Sequence, residues 1–98
     1  MKDYDIHVLA LEKWGLTEQR NIWVEEMAEL IQKLMKIDRK FNPSTTEEIV
    51  EELVDVLICI EQMVVHYSDG NNIQERHKIA FDRFTELVLE DTDNREVG

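Results

Sequence analysis

The sequence is short of the residues that build cross-linked or irregular folds. One cysteine in 98 residues excludes an intrachain disulfide framework and a multi-cysteine zinc site. Three glycines and one proline leave little material for tight turns, which argues against a β-sandwich or a glycine-rich nucleotide loop. No apolar run reaches membrane-spanning length; the longest, Leu53 to Val65, is interrupted by Asp55, Glu61 and Gln62. The opening MKDYDIHVLALEKWG has neither the long apolar core nor the small-residue cleavage site of a signal peptide. Basic residues are outnumbered 11 to 22, for a net charge of -11. Nucleic acid is therefore not an expected partner, because basic side chains must supply that affinity. A nucleotide remains open, since a divalent cation can mediate between carboxylates and phosphates. The expectation is a chain of the reducing cytoplasm that meets neither membrane nor nucleic acid.

Enough apolar material is present to fold: the hydrophobic share is 43%, which argues against disorder throughout. The length fits one domain, residues 1–98, with its core over about 5–90 and a polar tail over 91–98 expected to fray. Four helices are expected. The first runs from about Asp5, a candidate N-cap, to Trp14, with Gly15 as its stop. The second follows Thr17 and continues to about Arg39; Ile22, Trp23, Met27, Leu30, Ile31 and Leu34 recur along it at helical spacing. Lys33, Lys36 and Arg39 suit its C-terminal dipole, and Phe41-Asn42-Pro43-Ser44 ends it. The third starts with a capping box, Ser44 with Glu47 or Thr45 with Glu48. Its apolar residues cover most of the circumference, so it is expected to be the most buried. Ser68 to Asn72 reads as a turn, and the fourth helix places Ile73, Ala80, Phe84, Leu87 and Val88 on one face. The fold class is all-α, a four-helix bundle with a small core that oligomerisation would complete.

Within this pattern some carboxylates look misplaced. Helix two carries Glu25, Glu26 and Glu29; helix three carries Glu52 and Asp55. Glu26 and Glu29 lie about 60° apart around their helix, as do Glu52 and Asp55. Acids at such spacing commonly form a solvated face. Glu52 and Asp55 differ because Leu53, Val54, Val56, Leu57 and Ile58 surround them. A buried carboxylate without a partner is costly, and like charges at this spacing repel. A divalent cation resolves both. Mg²⁺ takes oxygen ligands and keeps several waters, leaving positions for phosphate.

Glu25-Glu26-x-x-Glu29, a gap of 22 residues, then Glu52-x-x-Asp55 resembles the EExxE…ExxD signature of the MazG-like all-α nucleoside triphosphate pyrophosphohydrolases. The likeness extends to Glu12-Lys13-Trp14-Gly15-Leu16, to Ala28 through Lys33 and to Glu51 through Ile58, and spans roughly residues 9 to 88. The resemblance implies a MazG-like four-helix bundle and a Mg²⁺-dependent enzyme, with Mn²⁺ as a substitute. Such an enzyme cleaves a (d)NTP between its α and β phosphates to the monophosphate and pyrophosphate. By position, Glu26, Glu29, Glu52 and Asp55 would be metal ligands. Glu25 would assist by ordering water or a second ion, and one of Glu25, Glu26 and Glu29 would be the catalytic base. Basic residues near the phosphates would come from Lys33, Arg76, Lys78 or Arg83, and Trp14 would stack on the base, whereas Trp23 reads as core. The resemblance also implies a homodimer or a dimer of dimers.

Other residues read as packing. Met27, Met35 and Met63 are expected in the core, and Cys59 buried and reduced. His7, His66 and His77 share no metal-ligand spacing. A di-iron bundle requires Glu-x-x-His motifs, which are absent here. The alternative function is a non-catalytic acidic helical module that retains a metal or nucleotide site.

Overall fold

A computed structural model describes the backbone of residues 3–68 and 71–97 and the side chains of residues 5–68 and 71–90. It is all-α: α1 (Asp3–Trp14), α2 (Leu16–Met35), α3 (Thr46–Tyr67) and α4 (Ile73–Val97), with no strand among the described residues. Among those residues no helix is long and apolar enough to cross a membrane. The chain falls into two compact units, Met1–Tyr67 and Ser68–Gly98.

In the first unit α2 packs most extensively on α3, and α1 touches both. Gly15 makes the α1–α2 corner: its φ of 84° is left-handed, a conformation that glycine adopts without steric cost. Its N–H closes α1 on Leu11 C=O at 2.9 Å, and its own C=O accepts the Gln19 N–H at 3.1 Å. Asp5 is therefore inside α1, which begins at Asp3, rather than at its cap.

α2 stops at Met35 instead of Arg39. Its end tightens into three-residue turns, Lys36 N–H to Lys33 C=O and Arg39 N–H to Lys36 C=O, both 3.2 Å, the usual way in which a helix end satisfies its last carbonyls. Asn42 at φ 50° then reverses the chain, and Ser44 N–H returns to Lys36 C=O at 3.1 Å.

The capping box of α3 is the Thr45–Glu48 one. Glu48 N–H donates to Thr45 Oγ1 at 3.1 Å and Thr45 N–H to Glu48 Oε1 at 3.3 Å, satisfying two orphan donors reciprocally.

The core of the described residues is small. Trp23, Val56 and Cys59 are its buried apolar side chains, with the polar His7, Gln19 and Gln62. Trp23 donates its indole N–H to Gln62 Oε1 and meets the Tyr67 ring edge-on, with centroids 6.2 Å apart. α3 supplies Val56, Cys59 and Gln62 to this core, yet Leu53, Leu57 and Ile60 stay half-exposed. As expected, α3 thus carries more buried side chains than any other helix among the described residues, although its remaining apolar residues stay half-exposed. Met35, the last residue of α2, is 77% exposed rather than core.

In the second unit, Asn72 (φ 48°) precedes α4, and its side-chain amide donates to Glu75. Asp69 and Gly70 of the expected turn lie outside the described residues. α4 continues to Val97, past Asp91 where fraying was expected, since residues 91–97 contain neither glycine nor proline to stop it. His77 stacks on Phe81 along this helix, with rings 11° from parallel.

Candidate metal centre

The α2–α3 contact brings three acids together. Glu26 from α2 and Glu52 and Asp55 from α3 each offer a carboxylate oxygen, all within 4.8 Å of one another. Glu26 and Glu52 are half-buried and Asp55 is exposed. Helical spacing produces this set: Glu52 and Asp55 share one side of α3 with the buried Cys59, and that side faces α2.

Two of the oxygens are out of solvent with nothing to bind. Glu26 Oε2 and Glu52 Oε2 are buried and have no hydrogen-bond partner among the described residues. Burial, then the charges of Glu29, Asp55, Glu52 and Glu25, hold the Glu26 carboxyl above its ordinary value. Burial likewise raises Glu52, helped by Glu29, which adds both charge and a carboxyl–carboxyl hydrogen bond, and by Asp55; Lys33 opposes the rise. Proton sharing between carboxyls favours the neutral form, as does each neighbouring negative charge. Cys59 lies under the cluster, and burial first, then Glu26 and Asp55, push its thiol up. It is an inert thiol rather than a nucleophile.

Of the four expected ligands, the structure gathers Glu26, Glu52 and Asp55 and sets Glu29 beside Glu52. Glu25 is on the adjoining side of α2, close enough for its charge to be felt at Glu26. There it borders an open cleft of about 430 Å³ lined by Trp14, Glu18, Gln19, Asn21, Ile22 and Glu25. Trp14 is 51% exposed on that cleft, with Lys13 Nζ 5.1 Å from its ring centre. Trp23, by contrast, is 2% exposed. Lys33 is engaged by Glu48: its ammonium donates to Glu48 Oε2. That bond, followed by those from Thr45, holds Glu48 below its ordinary range, and the Glu48 hydrogen bond is the main reason that Lys33 is raised. Arg76, Lys78 and Arg83 are on α4 in the second unit, all exposed.

The sequence reading passed over Gln19. It is 5% exposed, lines the cleft, and leaves its Nε2 buried without a partner among the described residues. The available signal was the helical register Glu18, Ile22 and Glu25, which with Trp14 marks one continuous side. The His7–Glu61 pair, 3.3 Å apart and tying α1 to α3, had no sequence signal, because its partners are 54 residues apart.

Comparison with known proteins finds no matching family model, no matching curated protein and no matching solved structure.

Proposed function

We propose that the chain is a Mg²⁺-dependent nucleoside triphosphate pyrophosphohydrolase, cleaving a (d)NTP between the α and β phosphates. The observation that carries this reading is the pair of buried, unpartnered oxygens on Glu26 and Glu52, beside Asp55. Left as they are, three acids in this space repel one another, and two of their oxygens are buried without a hydrogen-bond partner among the described residues. An all-oxygen carboxylate donor set fits a hard divalent cation. Mg²⁺, or Mn²⁺ in its place, would be held by Glu26, Glu52 and Asp55, with Glu29 adjoining. When bound, the ion supplies charge neutralisation at the phosphates and an activated water. Phosphoryl chemistry of this kind depends mainly on positioning and charge, so no protein nucleophile is needed.

The resemblance in the EExxE…ExxD pattern supports the choice of reaction. The other residues take roles that follow from their surroundings. Glu25 and Glu29 flank the three acids and are the candidate proton acceptors. Trp14 offers an exposed ring on the cleft that Glu25 borders, a surface suited to stacking a nucleobase. Lys33 places a positive charge near Glu52. A cytoplasmic setting belongs to the same reading and agrees with Cys59 as a free thiol.

The test is pyrophosphate release from a panel of canonical NTPs and dNTPs, with Mg²⁺ and with EDTA, for the wild type and for Glu52→Gln. Release of pyrophosphate and monophosphate that requires both metal and Glu52 establishes the reaction. Metal-dependent thermal stabilisation without turnover on any nucleotide would instead favour a binding module.

A further inference from the structure

The cleft beside the acids has a chemistry of its own. Among the described residues its lining is Trp14 from α1 and Glu18, Gln19, Asn21, Ile22 and Glu25 from α2. Its volume of about 430 Å³ suits a small organic ligand. Trp14 gives it a half-exposed aromatic ring. Its polar lining is two carboxylates and two amides, with no cation among them. Gln19 is 5% exposed, and its Nε2 has no hydrogen-bond partner among the described residues. A buried amide donor left without an acceptor is costly. The terminal torsion of a glutamine is broad and two-fold, so the amide can turn that N–H toward a group in the cleft. Gln19 precedes Glu26 by seven residues on α2, on the same side to within about 20° and about 10 Å along the axis. A nucleotide with its phosphates at Glu26 has room for its sugar along that distance and reaches Gln19 with its base. Glu25 connects the two places: it lines the cleft, and its charge is felt at Glu26.

We infer that Gln19 and Glu18 are the specificity-determining residues of this cleft and select a base with an exocyclic amino group beside a ring-nitrogen acceptor: cytosine over uracil, adenine over hypoxanthine. The inference rests on the nucleotide reading of the site. The partner that Nε2 lacks is an acceptor, which N3 of cytosine or N1 of adenine supplies. A carboxylate has acceptors only, so Glu18 takes a hydrogen bond from the neighbouring amino group, as carboxylates do from cytosine N4. Uracil and hypoxanthine invert both positions. They present an N–H to the Gln19 donor and a carbonyl oxygen to the Glu18 carboxylate. Gln19 alone would tolerate the inversion by exchanging the two ends of its amide. Glu18 would not, because it has no proton to give the carbonyl, and it thereby fixes the direction in which the pair reads. Such a site rejects the mismatched base because its polar groups are then left unpaired.

The test is calorimetric binding of CMP, UMP, AMP and IMP to the full chain with Mg²⁺; monophosphates avoid turnover. Within each pair the ligands differ only at the edge in question. CMP is expected to bind about 5- to 150-fold more tightly than UMP, and AMP than IMP, the range for one good base contact. Glu18→Gln is expected to remove most of that ratio by strengthening UMP and IMP, since its added amide N–H can meet the carbonyl. Gln19→Met is expected to weaken CMP and AMP. Equal binding in the wild type, no binding by any of the four, a preference for UMP and IMP, or a preference that survives Glu18→Gln unchanged overturns the inference. Glu18 is exposed, so its variant keeps the test decisive if Gln19→Met fails to fold. Pyrophosphate release separates the inference from the reaction. Triphosphates cleaved with no preference for CTP over UTP remove the base assignment and leave the reaction standing. A preference among the monophosphates without cleavage of any triphosphate does the reverse.

Discussion

Glu26 on α2 and Glu52 on α3 bring carboxylate oxygens within 4.8 Å of each other, and in each the Oε2 is buried with no hydrogen-bond partner among the described residues. Both carboxyls are raised above the ordinary value of 4.5. A raised folded-state value means that these groups favour the folded state fully below 4.5 and lose that contribution as pH rises through their raised values. Metal-free protein is therefore expected to melt higher as pH is lowered through the raised values of Glu26 and Glu52 toward 4.5. Glu48 has the opposite sign: its lowered value contributes stability above 4.5 that is lost at more acid pH. Melting in EDTA across this range checks the first effect, and Glu52→Gln should flatten it. An EDTA melting temperature that falls with acidification would sink the account.

Divalent metal should reverse that slope. Binding requires the ionised carboxylates, so Mg²⁺ competes with protons and stabilises more at higher pH. Titrating Mg²⁺ and Mn²⁺ in thermal melts at two pH values is expected to show saturable stabilisation, larger at the higher pH. Glu26→Gln, Glu52→Gln and Asp55→Asn should each lose it. Because each removes a ligand worth several kcal/mol in charge stabilisation, turnover should fall by about 100-fold or more, with helical content unchanged. Full activity in any of the three would remove that residue from the ligand set.

The fold class and the acids were legible because both are written locally. Helical spacing puts Glu52 and Asp55 on one side of α3, and the Thr45–Glu48 box marks its start within a few residues. The partners of each acid were less legible. That Glu29 adjoins Glu52 while Glu26 joins the triad depends on how α2 rolls against α3, which spacing along one helix does not specify. Which helix is the most buried was legible in α3, but how far its burial extends was not, for a related reason. Apolar residues around the whole circumference signal what a helix can bury, not what its own chain supplies to cover it, and Leu53 and Leu57 remain half-exposed. The end of α2 was set by a return hydrogen bond from Ser44 to Lys36, a contact made only after the chain has turned at Asn42.

The two tryptophans should separate function from stability. Trp14 is half-exposed on the cleft, so Trp14→Ala is expected to change the melting temperature little, within the usual range for surface substitutions of about 0.5 kcal/mol. If it stacks on a base, worth about 1–3 kcal/mol, the substitution raises KM for the nucleotide by roughly 5- to 150-fold. Trp23→Ala should instead destabilise by about 3–5 kcal/mol, through the cavity and the loss of the indole donor to Gln62. Steady-state kinetics with melting curves on both variants checks the contrast. A Trp14→Ala enzyme with unchanged KM would remove the stacking role.

Lys33 has two neighbours that ask different things of it. It donates to Glu48, which caps α3, and its charge reaches Glu52. If its work is to steady the α3 N-terminus, Lys33→Ala, Glu48→Gln and the double variant should melt at nearly the same temperature, because the second change removes nothing that the first has left. Thr45→Ala should cost about 1 kcal/mol by removing the cap hydroxyl. The same lysine also partly offsets the negative charge around Glu52, so Lys33→Ala should raise the pH at which Mg²⁺ begins to stabilise the protein, whereas Glu48→Gln, which leaves the ammonium in place, should not. Melts of the three variants with and without Mg²⁺ over a pH series read both effects. Additive melting shifts, or a metal onset that moves equally in Lys33→Ala and Glu48→Gln, would show that the lysine does not link the helix cap to the acids.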